Sequence, residues 1–449
     1  MKITSLSFIF LLLATLLAAQ PAYVPMTTLA EDFGATWCTG CPIAWQGLQV
    51  LHNNTHNGEF ISAKLYTESG ALSSPEVQTR FDYYGVIGLP AVIFNGKTKI
   101  DGSGTGIADG TLYNAALSQS RYSSSPIKIT IGNFSTSTGV LSGNITMISP
   151  TETITDGRVV YYLLENSVSA DDTHVLRAVL YDTLNLSGAG NTFGFNKTFT
   201  INPAWNSGNL WAIAFVQQAS KAIIQSASTL ALPSYNFRVA MDWNNMALTS
   251  DANYNFNSLP MWFFNQGLAD DYTLRIDVDS APADWYFNYC DDQGNCYPGT
   301  MDVPFSLAAG ESRNYHLNLT IGTAGVADFR MVVSSTHLGT YSIPFHFYTT
   351  GMAADDPHLN PAPVMLGRIS PNPVSATGKL SLIADKSLGS AVIDVFNLKG
   401  QKVQTLSLGH IVPGENEISF TPAPNLPNGV YFYRLKDSAA PAGRFVLIR

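Results

Sequence analysis

From residue 126 onward the chain is written in short runs that alternate apolar and polar residues. "IKITIGNF", "VLSGNITMI", "GRVVYYLLE", "NKTFTI" and "LWAIAFVQQ" follow one another up to about residue 235, with Gly, Asn, Ser and Thr between them. A period of two places alternate side chains on opposite faces of a strand and is incompatible with a helical stripe. Repeated at this spacing, it predicts an all-β sandwich over 123–235. "YTLRIDVD", "WYFNYC", "YHLNLTIG" and "DFRMVVSS" repeat the pattern and predict a second, Ig-like sandwich over 236–352. "GMAADDPHLNPAPVM" is Pro- and Asp-rich and reads as a linker, placed at 353–366. A last β-rich module runs over 367–449.

The 449 residues provide for about three domains at ~150 residues each. Only 13% of residues are charged, and the net charge of −9 comes with no long basic run, which argues against a nucleic-acid partner. The first residues, "MKITSLSFIFLLLATLLAAQPA", read as a secretory signal peptide over 1–19: Lys2, an apolar stretch from Leu6 to Leu17, then Ala18-Ala19. No cysteine follows the apolar stretch, so a lipoprotein anchor is not expected, and no later stretch is long and apolar enough for a transmembrane helix. The expectation is an exported chain whose four cysteines, Cys38, Cys41, Cys290 and Cys296, meet an oxidising compartment.

Residues 20–122 have a different texture. "LAEDFGA" and "FISAKLYT" read as strands. "CPIAWQGLQVLHNN" carries Ile43, Leu48 and Leu51 at helical spacing, and "PEVQTRFDYYG" and "IADGTLYNAALSQS" are also helical. "AVIFNGKTKIDG" is a hairpin turning at Asn95-Gly96. The order β-α-β-α-β-β-α describes a small α/β domain.

Within it, "GATWCTGCP" places Cys38 and Cys41 at the start of a helix. Unpaired N–H groups and the positive end of the helix dipole favour a thiolate there. Cys38 is the candidate nucleophile and Cys41 the resolving thiol. Pro42 suits the first turn, and Trp37 is expected to pack beside the sulfurs. A permanent disulfide on an inactive scaffold is the competing reading. A zinc site needs two further ligands, and Cys290 and Cys296 belong to another module.

With "GVIGLPAVIFNG" downstream of the pair, residues 25–122 resemble the thioredoxin family. The resemblance implies a cis Pro90 facing the disulfide and a Leu89 backbone that pairs with an extended peptide. It also implies that Asp32, six residues before Cys38 and next to Glu31, is the buried acid assisting proton transfer at the resolving thiol. Ala91 stands where the family often has threonine, and Thr39-Gly40 is not the Gly-Pro of thioredoxin itself. No cofactor is required.

Other constellations point to structure. His52 and His56 stand four apart, but "HNNTHNG" reads as a solvated helix end, and no metal is expected. "DGSGTGIADG" lacks the Lys of a phosphate loop and the terminal Glu of a calcium loop, so it reads as a connection. Cys290 and Cys296 flank "DDQGN" and suit a local structural disulfide. Trp285, Tyr286 and "PMWFFNQG" are assigned to sandwich packing.

The last module opens with "GRISPNPVSATGKLSL", continues with "VIDVFNLKGQKVQTL" and ends with "LPNGVYFYRLKDSAAPAGRFVLIR". Periodicity makes it a small β-sandwich. Pro371-Asn372-Pro373, "VFNLKGQKV", "LPNGVYFYRL" and "GRFVLIR" make it closely similar to the C-terminal sorting domain of the type IX (Por) secretion system. That resemblance implies a Gram-negative bacterium of the Bacteroidetes type and passage through the periplasm. It further implies delivery to the cell surface or medium by the type IX machinery.

The sequence thus predicts an N-terminal thioredoxin-like α/β domain followed by three all-β modules. The expected activity is thiol–disulfide exchange with protein or peptide partners. The rival is a surface binding or adhesion protein whose first domain is a scaffold, favoured by the lack of an obvious electron donor outside the cell.

Overall fold

A computed structural model describes residues 21–350, except 69, 71, 170–171 and 242–246, and residues 364–449, except 371, 385–387, 398–400, 412–413 and 437–442. The expected signal peptide and most of the expected linker lie outside the described residues. So do Pro371 and the turn at Leu398-Lys399-Gly400. The chain divides into two compact units, the first ending at Phe347 and the second comprising Tyr348–Arg449.

The first unit begins with β1 (Thr28–Gly34), α1 (Cys41–Asn53), β2 (Phe60–Tyr66) and α2 (Pro75–Tyr84), followed by β3 (Ala91–Phe94), β4 (Thr98–Asp101) and α3 (Thr111–Ser118). β1 pairs in parallel with β2 and antiparallel with β3, which forms a hairpin with β4. Asn95 (φ 47°) and Gly96 (φ 70°) make the hairpin turn in left-handed backbone. A Cβ on Gly96 would stand 2.0 Å from the Lys221 carbonyl oxygen, so only glycine allows this approach. Helix α1 buries Cys41, Ala44, Trp45, Leu48 and Leu51, a stripe at i, i+3, i+4 and i+7. With α3 it covers one sheet face around Ala30, Phe60, Val92 and Phe94.

The opposite face is covered by the next segment of the chain. This comprises β5 (Ile127–Phe134), β6 (Val140–Met147), β7 (Thr153–Glu165), β8 (Val175–Ser187), β9 (Thr192–Thr198), β10 (Leu210–Gln217) and β11 (Ile223–Ser228). β9, β6 and β5 form a three-stranded sheet, and the other four continue the first sheet in the order β11-β10-β7-β8-β2-β1-β3-β4. The junction is a parallel bridge, Val175 to Lys64. Leu29, Phe33, Ile61 and Leu65 share one buried cluster with Val77 of α2 and with Tyr162, Leu164, Trp211 and Phe215 of β7 and β10. Sharing this apolar cluster, with α2 beside it, makes the two segments one packing unit. The other face of β7 and β10 packs on β5, β6 and β9 as an ordinary sandwich.

The third segment packs a sheet containing Phe237–Met241, Met261–Asn265, Ser312–Thr320, Tyr286–Asp291 and Cys296–Pro298. Against it stands a second sheet of Ala247–Ser250, Gly339–Thr349, Val326–Ser335, Asp270–Ser280 and Val303–Leu307. Met261, Phe263 and Trp285 are buried in its core, whereas Tyr286, expected inside, is exposed because it points to the other face of its strand. Buried Arg238 ties this segment to the first, donating to the carbonyl oxygens of Gly58 and Met26. Cys290 and Cys296 stand opposite each other in register and are joined by a disulfide.

The second unit contains a three-stranded and a four-stranded sheet enclosing Leu380, Leu382, Val395, Phe420, Tyr433, Phe445 and Leu447. Its first strand, Val364–Ser370, begins inside the segment expected as linker. Asn372 Oδ1 accepts from Val446 N–H (2.8 Å), and Val374 N–H donates to Val446 O (2.7 Å). Asn428 Oδ1 accepts from the Arg449 N–H (2.8 Å), and the Arg449 guanidinium donates to the carbonyls of Pro422, Ala423 and Pro424. Asn372 and Asn428 therefore bond to the end of the chain, at Val446 and Arg449.

Candidate functional site

Cys38 and Cys41 are joined by a disulfide at the N-terminus of α1, with Cα atoms 5.5 Å apart. Cys41 is the first helical residue and Pro42 follows it, where no N–H partner is needed. Gly40 caps the helix; a Cβ there would stand 2.7 Å from Ser103 Oγ and 3.2 Å from Pro90 Cδ. Glycine thus lets the loop after β4 and Pro90 close on the cysteine turn. The peptide bond Leu89-Pro90 is cis. Leu89 packs with Ala35, Cys38 and Cys41. Both cysteines are largely enclosed, Cys38 at 8% exposure and Cys41 at 3%.

Trp37 departs from expectation. It is 70% exposed, where packing against the sulfurs was expected to bury it. It lies before the helix, within the backbone turn closed by Cys38 N–H to Ala35 O (3.1 Å). Ile87, which sequence reasoning did not single out, is 80% exposed in the loop leading to Leu89. The enclosed disulfide is thus bordered by loops that carry exposed apolar side chains.

Beneath Cys41 lies the end of β1. A Cβ on Gly34 would be 3.4 Å from Cys41 Sγ, so that strand face looks at the Cys41 sulfur. Asp32, two residues back, occupies the same face. It is 1% exposed, and neither carboxylate oxygen accepts a hydrogen bond from any described residue. Burial raises its carboxyl from the ordinary value to about 7, against the pull of the Lys64 cation.

Glu31 faces the other way. It forms an ion pair with buried Arg80 (2.7 Å) and accepts from the hydroxyls of Tyr84 and Tyr162. Arg80 also donates to Gln217 of β10 (2.9 Å). This acid joins α2 and β1 to the sandwich and takes no part in the disulfide face.

Sequence reasoning missed a second polar cluster beside Asp32. Lys64, its registered neighbour on β2, is buried with its Nζ 3.1 Å from Asp172 Oδ1. Tyr66 also donates to Asp172. The signal was a lysine in the middle of an apolar strand, "FISAKLY". Nearby, His52 is no solvated helix end. Its Nε2 lies 2.7 Å from Ser62 Oγ, which lies 3.3 Å from His174 Nδ1, and its ring packs on Phe60 and His174. Burial lowers His52 to about 3, helped by His174, and lowers His174 to about 4. His56 accepts from Gly58 N–H (3.2 Å). Among the described residues no group of three or more His, Cys, Asp or Glu could hold a metal, and no helix is long and apolar enough to cross a membrane.

Residues 368–448 match the family model described as a secretion system C-terminal sorting domain. The chain therefore carries the sorting tail of type IX secretion, which makes it a secreted or cell-surface protein and implies interaction with that machinery. No curated protein matches the chain. Among solved structures, HBP35 of Porphyromonas gingivalis aligns at 13% identity and a TM-score of 0.38, covering 72% of this chain and 98% of that one. Dimeric latent PorU from Porphyromonas gingivalis aligns at 12% identity and a TM-score of 0.18, covering 72% of this chain and 34% of that one. The BSP domain of a biofilm associated protein aligns at 10% identity and a TM-score of 0.20, covering 72% and 81%. At these TM-scores the alignments carry no functional argument.

Proposed function

We propose that the protein is an exported thiol–disulfide oxidoreductase whose N-terminal segment is a thioredoxin-like domain. The observation that carries this reading is the placement of the buried Asp32 carboxyl, without a hydrogen-bond partner among the described residues, under the Cys41 side of a disulfide that opens a helix. In the reducing direction, the Cys38 thiolate attacks a substrate disulfide. A mixed disulfide forms and one substrate thiolate leaves. Asp32 accepts the Cys41 proton, and the Cys41 thiolate attacks Cys38 Sγ. The second substrate sulfur leaves with both electrons, and the Cys38–Cys41 disulfide forms. Oxidation of a substrate dithiol is the same sequence reversed. A carboxyl near 7 suits proton exchange at neutral pH. Leu89 and Pro90 border the disulfide and are assigned to the peptide groove, with Trp37 and Ile87 as exposed apolar contacts. The Cys290–Cys296 disulfide is assigned a structural role.

The rival reading, a surface binding protein with an inert disulfide, draws support from the enclosure of both cysteines. Insulin reduction by the whole secreted chain in dithiothreitol separates the two. Exchange requires catalysed precipitation that disappears in Cys38→Ser. Equal rates for the two proteins would leave the binding reading.

A further inference from the structure

The segment between β7 and β8 runs along the outer edge of β2. Lys64 N–H donates to His174 O (2.8 Å), and Val175 bridges Lys64 in parallel. This seats Asp172 over the end of the Lys64 side chain. Its Oδ1 accepts from Lys64 Nζ (3.1 Å) and from the Tyr66 hydroxyl, and its Oδ2 accepts from Ser169 Oγ (2.6 Å). Burial opposes the Asp172 charge, but the hydrogen bonds from Ser169, Tyr66 and Lys64 outweigh it and hold this carboxyl below its ordinary range. The Lys64 ammonium also lies over the Trp45 and Tyr66 rings, 5.3 and 5.1 Å from their centroids.

Asp32 is the registered partner of Lys64 across the β1–β2 pair, on the same sheet face. A lysine side chain can reach a neighbour at that spacing, and a direct pair would lower a carboxyl by about 1–3 pKa units. Here the ammonium is turned to Asp172, and Asp32 accepts nothing from it.

We propose that Asp172, contributed by the sandwich segment, is a positioning residue for exchange at Cys38–Cys41: by holding the Lys64 ammonium it keeps a direct ion pair off Asp32 and leaves that carboxyl able to take up and return the Cys41 proton. The inference rests on the exchange reading above. The other groups around Asp32 are Tyr66 on β2, Tyr113 on α3 and Cys41 at the start of α1, while Glu31 and Arg80 occupy the opposite face. Burial pushes both tyrosines upward, so neither titrates near neutrality. The redox site is thereby tuned from outside its own α/β segment.

The test uses the full chain labelled with carboxyl-13C aspartate, with Asp32→Asn identifying the signal, together with the pH profile of insulin reduction. Asp172→Asn should lower the Asp32 midpoint by at least one unit and move the profile the same way, and Asp172→Glu should restore both. Ser169→Ala, which removes one support of Asp172 and threatens folding less, should shift both in the same direction by a smaller step. Lys64→Met should raise the midpoint, and adding Asp172→Asn to it should have no further effect. An Asp32 midpoint unchanged or raised in Asp172→Asn and Ser169→Ala overturns the proposal. So does a midpoint that falls while the rate profile stays fixed. Wild-type protein inactive at every pH refutes the exchange reading itself, and the positioning role with it, whatever Asp32 does.

Discussion

Asp32 and Glu31 are neighbours on β1 and point to opposite faces, so they differ in every physical respect that matters. Glu31 is paired with Arg80 and accepts from Tyr84 and Tyr162. Removing Arg80 would strand a buried carboxylate, and Arg80→Met should cost about 3–5 kcal/mol in urea unfolding. Asp32 is buried without such support. Its folded value near 7 lies above its unfolded value of 3.8, so its contribution to stability is fully present below pH 3.8 and is lost as pH rises through 7. Asp32→Asn should therefore stabilise the protein above pH 7, by up to about 4 kcal/mol, and give little near pH 4. Comparing the two proteins by chemical unfolding at pH 4 and pH 8 checks the sign. A wild-type protein gaining on the variant as pH rises would refute it.

Helix α1 does its work at both ends. Its first turn holds the disulfide, and its last turn packs half-buried His52 against Ser62 of β2 and His174 of the β7–β8 segment. Both histidines are held neutral, at about 3 and 4, well below their unfolded value of 6.5. Their contribution is present above pH 6.5 and falls away as pH drops toward 4, opposite in sign to that of Asp32. Unfolding free energies at pH 7 and pH 5 should differ more in the wild-type chain than in His52→Asn/His174→Asn. The strands and helices of this segment were legible because period and punctuation are local properties: α1, the Asn95-Gly96 hairpin and the helix opening at Pro75 all follow from neighbouring residues. The CxxC turn was legible for the same reason, whereas the cis Leu89-Pro90 bond was expected only through the resemblance to the thioredoxin family. Lys64–Asp172 and His52–His174 were not, because each partner lies more than 100 residues away in sequence.

At the scale of the molecule, the α/β segment and the first sandwich share a sheet and a core, and the third segment is pinned to them by Arg238. Residues 21–122 alone would expose Leu29, Phe33 and Leu65 and leave the Glu31–Arg80 pair half covered. That fragment should lack a cooperative transition by circular dichroism, whereas 21–350 should unfold cooperatively. The sequence separated these segments by texture, and texture does not record which faces a segment leaves open. The sorting tail was legible through its short, ordered motifs, two of whose residues, Asn372 and Asn428, bond to Val446 and Arg449. Removing 367–449 should abolish appearance of the protein at the surface or in the medium, as read by cell fractionation. On the proposed function, the enclosed Cys38–Cys41 disulfide of this assembly turns over. Equilibrating the whole chain in glutathione buffers of graded ratio, then alkylating and weighing the peptides, tests it most directly. A reversible two-electron transition confined to Cys38 and Cys41 is expected, with Cys290–Cys296 still oxidised. A Cys38–Cys41 disulfide that stays closed until the protein unfolds would contradict it.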